Sequence, residues 1–353
     1  MKQENLTGFS ELELARQIQR NCHIADANHG GDYTLCVYLM RMREYYRWEM
    51  GRAFSDHLGK DEVGDWLVDR EGLWQDLDGA DFEVLSLNDA RLDPFDADGI
   101  NARLADQGLV YGGGRGCTGR PHFFLAQALY REQMEGYDIL VSGRELARDL
   151  TAPPGMSQGR TIIIRRESLK RLLWERLEGW RWSSPDNAMG RALACYDFDH
   201  QLEQSLERMT DIETDAVLWH EMGEVQAGEL LGDGWEPMLE DLLFTPAELM
   251  CRAVRDHLAD CLVTLPRLLE REEPPSIHFY MGNLSHMRRA IFPALQSAYE
   301  AWRLGGSLSA LRDVSEKGLI HWRQLAGEIL SIHANEGEAA AKAIATQVST
   351  NHL

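Results

Sequence analysis

Positive charge is what this chain lacks most. Its 353 residues carry 57 aspartates and glutamates against 36 lysines and arginines, a formal net charge of -21. A surface that negative repels phosphate backbones and anionic lipid, so neither nucleic acid nor a membrane is an expected partner. A small molecule, a metal, a basic protein partner, or an anion held in a local basic pocket all stay open, and so does the oligomeric state. Long apolar runs are missing too: none approaches the roughly 20 residues a membrane-spanning helix needs. The opening MKQENLTGFSELELARQIQ reads as an amphipathic helix rather than a signal peptide. Cysteines are few: Cys22, Cys36, Cys117, Cys195, Cys251 and Cys261 form no CxxC pair, and their spacing fits neither a zinc ribbon nor a disulfide framework. Reduced thiols and a cytoplasmic address are the expectation. Internal repeats and low-complexity stretches are absent as well.

What is present is an ordinary globular composition, 44% hydrophobic and 26% charged, in a chain long enough to bury a large core without disulfides. The fold expected is mainly α: a multi-helix body with a smaller α+β region in the middle of the chain. Residues 10–21 read as a helix, followed by a polar loop, CHIADANHGGD, and a helix from Tyr33 to His57 capped by Asp32. That second helix is apolar nearly all round, which predicts a central position. Its Arg41, Arg43, Arg47 and Glu44 form either an internal salt-bridge network or an anion pocket lined by Tyr45, Tyr46 and Trp48. Residues 56–98 are acidic, with a helix near 61–77 and a short strand at 82–87. Short apolar runs at 109–111, 122–125, 137–141 and 161–164 read as a modest sheet, with helices near 144–150 and 167–178. Beyond Pro185 the chain is helical, over 187–231, 237–243, 246–271, 284–303, 307–332 and 335–347, with breaks at Gly232/Gly234, Pro246, Pro274-Pro275 and Gly305-Gly306. Three segments follow: 1–60, expected to pack on the C-terminal body; 61–185, acidic and then α+β; and 186–353, the helical body.

Four groups of residues carry chemistry. On the 187–231 helix, Glu213, His220 and Glu224 fall within or beside the apolar stripe of Leu206, Met209, Ile212 and Ala216, because spacings of seven and four stay on one face. Ionisable groups turned toward a core need satisfying. A divalent metal (iron, zinc or manganese) would do so; carboxylates paired to arginines and a buried His would do so equally. No known motif matches: HExxH needs a second His where Glu224 stands, and Glu-x-x-His occurs nowhere. His257, on a later helix with Asp256, Asp260 and Cys261, is the expected extra ligand, and His278 and His286 lie beyond it. Cys22, His23, Asp26, His29, Asp32 and Cys36 crowd into fifteen residues, so Asp26 and His29 are alternative ligands; capping, turn and core roles explain them as well. Finally Tyr111-Gly-Gly-Gly-Arg115-Gly-Cys-Thr-Gly-Arg120 combines close-approach glycines with two arginines suited to phosphate or carboxylate, or is simply a hairpin tip.

The stretch from Ala25-Asp26 through His29, Asp32 to Cys36 and Met42 to Glu49, with Trp219 to Glu224, resembles an uncharacterised bacterial family of conserved hypothetical proteins, over most of the chain. The resemblance implies a bacterial origin and carries no activity, cofactor or catalytic residue with it. Two functions are therefore expected: a metal-binding oxidase or hydrolase with a His/carboxylate site on helices, or a non-catalytic binding or scaffolding protein whose buried charges are structural.

Overall fold

A computed structural model describes residues 11–87, 90–116 and 119–353. The N-terminal ten residues of the expected amphipathic helix, and Cys117 and Thr118 of the glycine-rich segment, lie outside the described residues. The chain is mainly helical, with a sheet region in its middle, and divides into two compact units: Met1–Met156, Ile163–Glu175 and Gln201–Glu207 form one, and Ser157–Ile162, Arg176–His200 and Arg208–Leu353 the other.

In the N-terminal unit, strands β1 (Leu85–Leu87) and β2 (Ala90–Leu92) make a small antiparallel pair. The main sheet holds β3 (Leu109–Arg115), β4 (Pro121–Met134), β5 (Tyr137–Arg148), β6 (Gly155–Gln158) and β7 (Thr161–Arg165) in the order β3-β4-β5-β7-β6. Gly112 and Gly113 lie within β3. A Cβ on Gly112 would sit 2.1 Å from the Phe124 ring, and one on Gly113 2.2 Å from the Pro94 carbonyl, so these glycines let β4 and the Pro94 segment close on β3. The expected helix at 144–150 is instead the end of β5: Phe124 pairs with Arg148 and Ala126 with Glu145, and ladder pairing outweighs the helical propensity of Glu, Leu, Ala and Arg.

Helix Glu11–His29 runs through most of the expected polar loop, whose last residues, Gly30–Asp32, form a 3-10 turn. The reason is a buried face that does not stop at residue 21: Leu14, Ile18, Cys22 and Ala25 repeat at helical spacing and join a core with Phe123, Leu125 and Ala147. Gln19 and Asp26 bind the backbone of Arg148 and Leu150. This helix is thus built into the sheet unit. The helix expected over 33–57 spans only Leu35–Glu49. It is not central: Leu35, Val37, Leu39 and Met40 are exposed, and only its second half, from Met42 on, is buried. Glu44 is paired there with Arg43 and Arg47 at 2.7 and 3.1 Å, an internal salt-bridge network rather than an anion pocket.

The C-terminal unit is helical around a core that includes Trp235, Phe292, Trp322, Ile329 and Ile344. Proline opens helices Pro246–Ala259, Pro274–Asn283 and Pro293–Arg303, where its missing N–H costs nothing. Helix Leu202–Leu231 stops at Gly232, whose φ is 71°; the stretch expected as one helix from 187 is broken by a turn in which Asp197 accepts from the backbone and ring of His200. Helix Pro246–Ala259 continues through a single π-turn, Asp260–Thr264, into Leu265–Arg271. Pro266 accounts for the π-turn, since it cannot donate to the Leu262 carbonyl and its ring clashes with it.

Candidate functional site

Asp260 sits at the first residue of that π-turn, fully buried. His220 Nδ1 lies 2.9 Å from its Oδ1, Tyr280 donates its hydroxyl at 2.8 Å to Oδ2, and Arg288 donates to the same Oδ2. Burial opposes charge on Asp260, yet Arg288 and His220 hold its carboxyl well below the usual range. Gly223 makes this reach feasible. A Cβ there would lie 2.4 Å from the Ala259 carbonyl oxygen, so the two helices approach backbone to backbone one turn from His220.

The His220 side chain is 33% exposed, against 14% for Arg288. Its Nε2 lies 3.4 Å from Glu224, which also meets Arg255 at 3.7 Å. Burial disfavours the imidazolium, but the bonds to Asp260 and Glu224 outweigh burial and hold His220 well above its ordinary value. Beside it, burial and the charge of Glu224 push Glu221 up to about 7. A cationic imidazole next to a carboxyl poised near neutrality is a pair suited to moving protons.

The other expected ligands lie elsewhere. Glu213 is seven residues and therefore about 10.5 Å along the helix from His220; it accepts from Ser276 Oγ at 2.9 Å, and burial raises it to about 7. His257 Nε2 lies 2.9 Å from the Arg288 carbonyl oxygen, and since that oxygen only accepts, Nε2 carries the proton. The ring of His257 stacks on Trp322 at 5.1 Å, and burial depresses it to about 3, leaving it neutral. Asp26 accepts the Leu150 N–H with both oxygens, and His29 pairs with Asp32 at 3.2 Å, both within the N-terminal unit. Of the two arginines expected to meet an anion, Arg120 is engaged by Asp32 and the Tyr33 hydroxyl, and Arg115 lies over the Phe95 ring. Among the described residues, no group of three or more His, Cys, Asp or Glu has the geometry to hold a metal ion; the polar atoms of His220 and Asp260 are spent on each other, on Glu224, on Tyr280 and on Arg288.

Sequence reasoning does not single out Asp260, Glu221, Tyr280 or Arg288 as site residues. The helical wheel ranks His257 above Asp260 because His257 flanks the apolar stripe. The signals that point to Asp260 are Pro266, which marks an irregular turn beside it, and Gly223, which marks a close helix contact.

Two family models match consecutive stretches of the chain. The N-terminal domain of a family of unknown function, DUF6866, matches residues 13–165, and the C-terminal domain of the same family matches 170–351. The chain belongs to the DUF6866 family. No curated protein and no solved structure matches it. The Asp260 cluster lies wholly in the stretch matched by the DUF6866 C-terminal domain, and the β3–β5 strands in the N-terminal one.

Proposed function

We propose that the C-terminal unit carries an acid–base catalytic site of hydrolytic type, with His220 as proton donor. The observation that supports this is the bond from His220 Nδ1 to buried Asp260, which fixes the orientation of a ring whose side chain is one-third exposed. Asp260 then orients and charges the imidazole, as a carboxylate does in any His–Asp pair. Glu221 and Glu224 supply carboxyls able to return the proton. The His/carboxylate site expected on helices is retained in this reading; its Lewis-acid role passes from iron, zinc or manganese to the proton of His220. A cytoplasmic address and a bacterial source belong to the same proposal.

The second reading, a non-catalytic scaffold meeting a basic partner through its acidic surface, is favoured by one observation: Asp260 is saturated by three donors, as a purely structural hub would be. Titration of His220 by heteronuclear NMR decides between them first. The acid–base reading expects a pKa above 6.5 that falls in Asp260→Asn, together with turnover of ester or phosphoester substrates that His220→Gln abolishes without unfolding the protein. A His220 that titrates below 6.5, or turnover unaffected by His220→Gln, sinks it. Elemental analysis of the same preparation tests the metal: stoichiometric iron, zinc or manganese lost on His220→Ala would return the site to metal chemistry.

A further inference from the structure

A second concentration of buried charge lies in the N-terminal unit. Arg148 at the end of β5 and Arg165 at the end of β7 are 1% and 0% exposed. Both address one carboxylate. Arg165 Nε donates to Glu145 Oε1 at 2.8 Å, an oxygen that also accepts from Ser168 Oγ at 2.6 Å. Arg148 Nη1 stands 3.9 Å from Oε2, an ion pair too long for a hydrogen bond. Both guanidiniums face Glu145, and the buried Asp149 carboxylate adds its charge on the Arg165 side. Buried ions of this kind repay their desolvation only when their remaining N–H groups are also met.

Nε and Nη2 of Arg148 and Nη1 and Nη2 of Arg165 are buried with no acceptor among the protein atoms, and Glu145 Oε2 accepts nothing. Buried guanidinium N–H groups without acceptors are rare, and each lost bond is costly. The faces of both groups are already covered: Arg148 lies 5.5 and 5.3 Å over the rings of Tyr45 and Trp48, and Arg165 lies 4.2 Å over Phe124. Only the N–H edges are free, and an edge-on guanidinium is the shape that grips an oxyanion with two parallel bonds. Two more arginines stand close by: Arg41 and Arg171 both donate to the Thr151 carbonyl, at 3.1 and 3.0 Å. Burial, then the charges of Arg148 and Arg41, depress Arg171 to about 10, which puts these cations in mutual range.

We propose that Arg148 and Arg165 form an oxyanion site of phosphate class, filled either by free phosphate or by the head of a phosphomonoester. Four unmet nitrogens shared between two guanidiniums call for several acceptor oxygens, and a tetrahedral oxyanion presents more of them than a carboxylate does. A cleft of about 360 Å³ is lined by Asp26, Tyr33, Tyr38 and Trp74. Asp26 accepts from Leu150 N, and the Tyr33 hydroxyl lies 2.7 Å from Thr151 Oγ1. An aromatic or apolar portion of a monoester fits that lining.

The test uses the full chain purified without phosphate or sulfate. Native mass spectrometry and thermal denaturation are followed against inorganic phosphate, sulfate, phenyl phosphate and, at matched ionic strength, chloride. A single phosphate adduct, with saturable stabilisation that sulfate competes for and chloride does not give, is the expected result. Phenyl phosphate binding more tightly than inorganic phosphate assigns the head of a larger ligand, and the reverse assigns free phosphate. Glu145→Gln removes the competing carboxylate and is expected to tighten phosphate binding by about tenfold, whereas Arg165→Lys, which keeps the charge and loses the fork, weakens it by at least about tenfold. The proposal is overturned if wild-type protein shows no adduct and responds to phosphate and chloride alike, an outcome that holds whether or not either variant folds, or if folded Glu145→Gln binds phosphate no better than wild type.

Discussion

At the scale of single residues the C-terminal unit is governed by what burial does to carboxyls. Asp260 stays ionised because three donors meet it, while Glu213, with Ser276 at one oxygen and none at the other, is pushed up to about 7. A carboxyl whose folded value exceeds its unfolded value of 4.5 favours the folded state while protonated, and that contribution is lost as pH rises through about 7. Glu213→Gln keeps the acceptor for Ser276 and cannot ionise. It is expected to raise the melting temperature at about pH 8 and to flatten the pH dependence between about pH 5 and pH 8; unchanged melting at the alkaline end would contradict the burial argument. Asp260→Asn runs the other way. It leaves Arg288 and His220 without their counter-charge and should cost about 3–5 kcal/mol in denaturant unfolding.

Elements differ in how plainly the sequence announces them. The helical body after Pro185 and the strands between 109 and 164 are legible because 3.6-residue and short apolar periodicities are strong there and proline marks the helix starts. Two segments mislead for definite reasons. Residues 22–29 look like a loop by their Asp, Asn and His content, yet Cys22 and Ala25 continue a buried stripe and the polar groups find partners, His23 with Arg70 and Asp26 with Leu150. Residues 144–148 have helical composition, but a register with Phe124–Ala126 claims them. Of the candidate site, His220 and Glu224 are legible from their spacing on one face. Asp260, Tyr280 and Arg288 are not, because a wheel drawn at 100° per residue fails across a π-turn and says nothing about which helices touch. The close approach at Gly223 is testable by itself. Gly223→Ala places a methyl 2.4 Å from the Ala259 carbonyl, so the helices must part; a loss of about 1–3 kcal/mol is expected, along with a weaker His220–Asp260 bond seen as a lowered His220 pKa. Gly112→Ala, against Phe124, should destabilise the sheet unit by a similar mechanism.

For the molecule as a whole, the two units do not divide at the join between the two matched family domains. Helix Arg166–Arg181 begins in the sheet unit: Leu169 and Leu173 are fully buried, Ser168 reaches Glu145, and Arg171 holds the carbonyls of Thr151 and Ala152. A fragment ending at residue 165 should therefore be less stable than one ending at 176, by about 3–6 kcal/mol from the two leucines alone; equal resistance to denaturant would show that the helix start adds nothing. Against the proton that His257, depressed to about 3, takes up on unfolding, the two carboxyls raised to about 7, Glu213 and Glu221, each release one. At about pH 6 each is almost wholly protonated when folded and almost wholly ionised when unfolded. The heat of unfolding measured by calorimetry should thus depend on the ionisation enthalpy of the buffer, and Glu213→Gln should subtract close to one proton from that exchange.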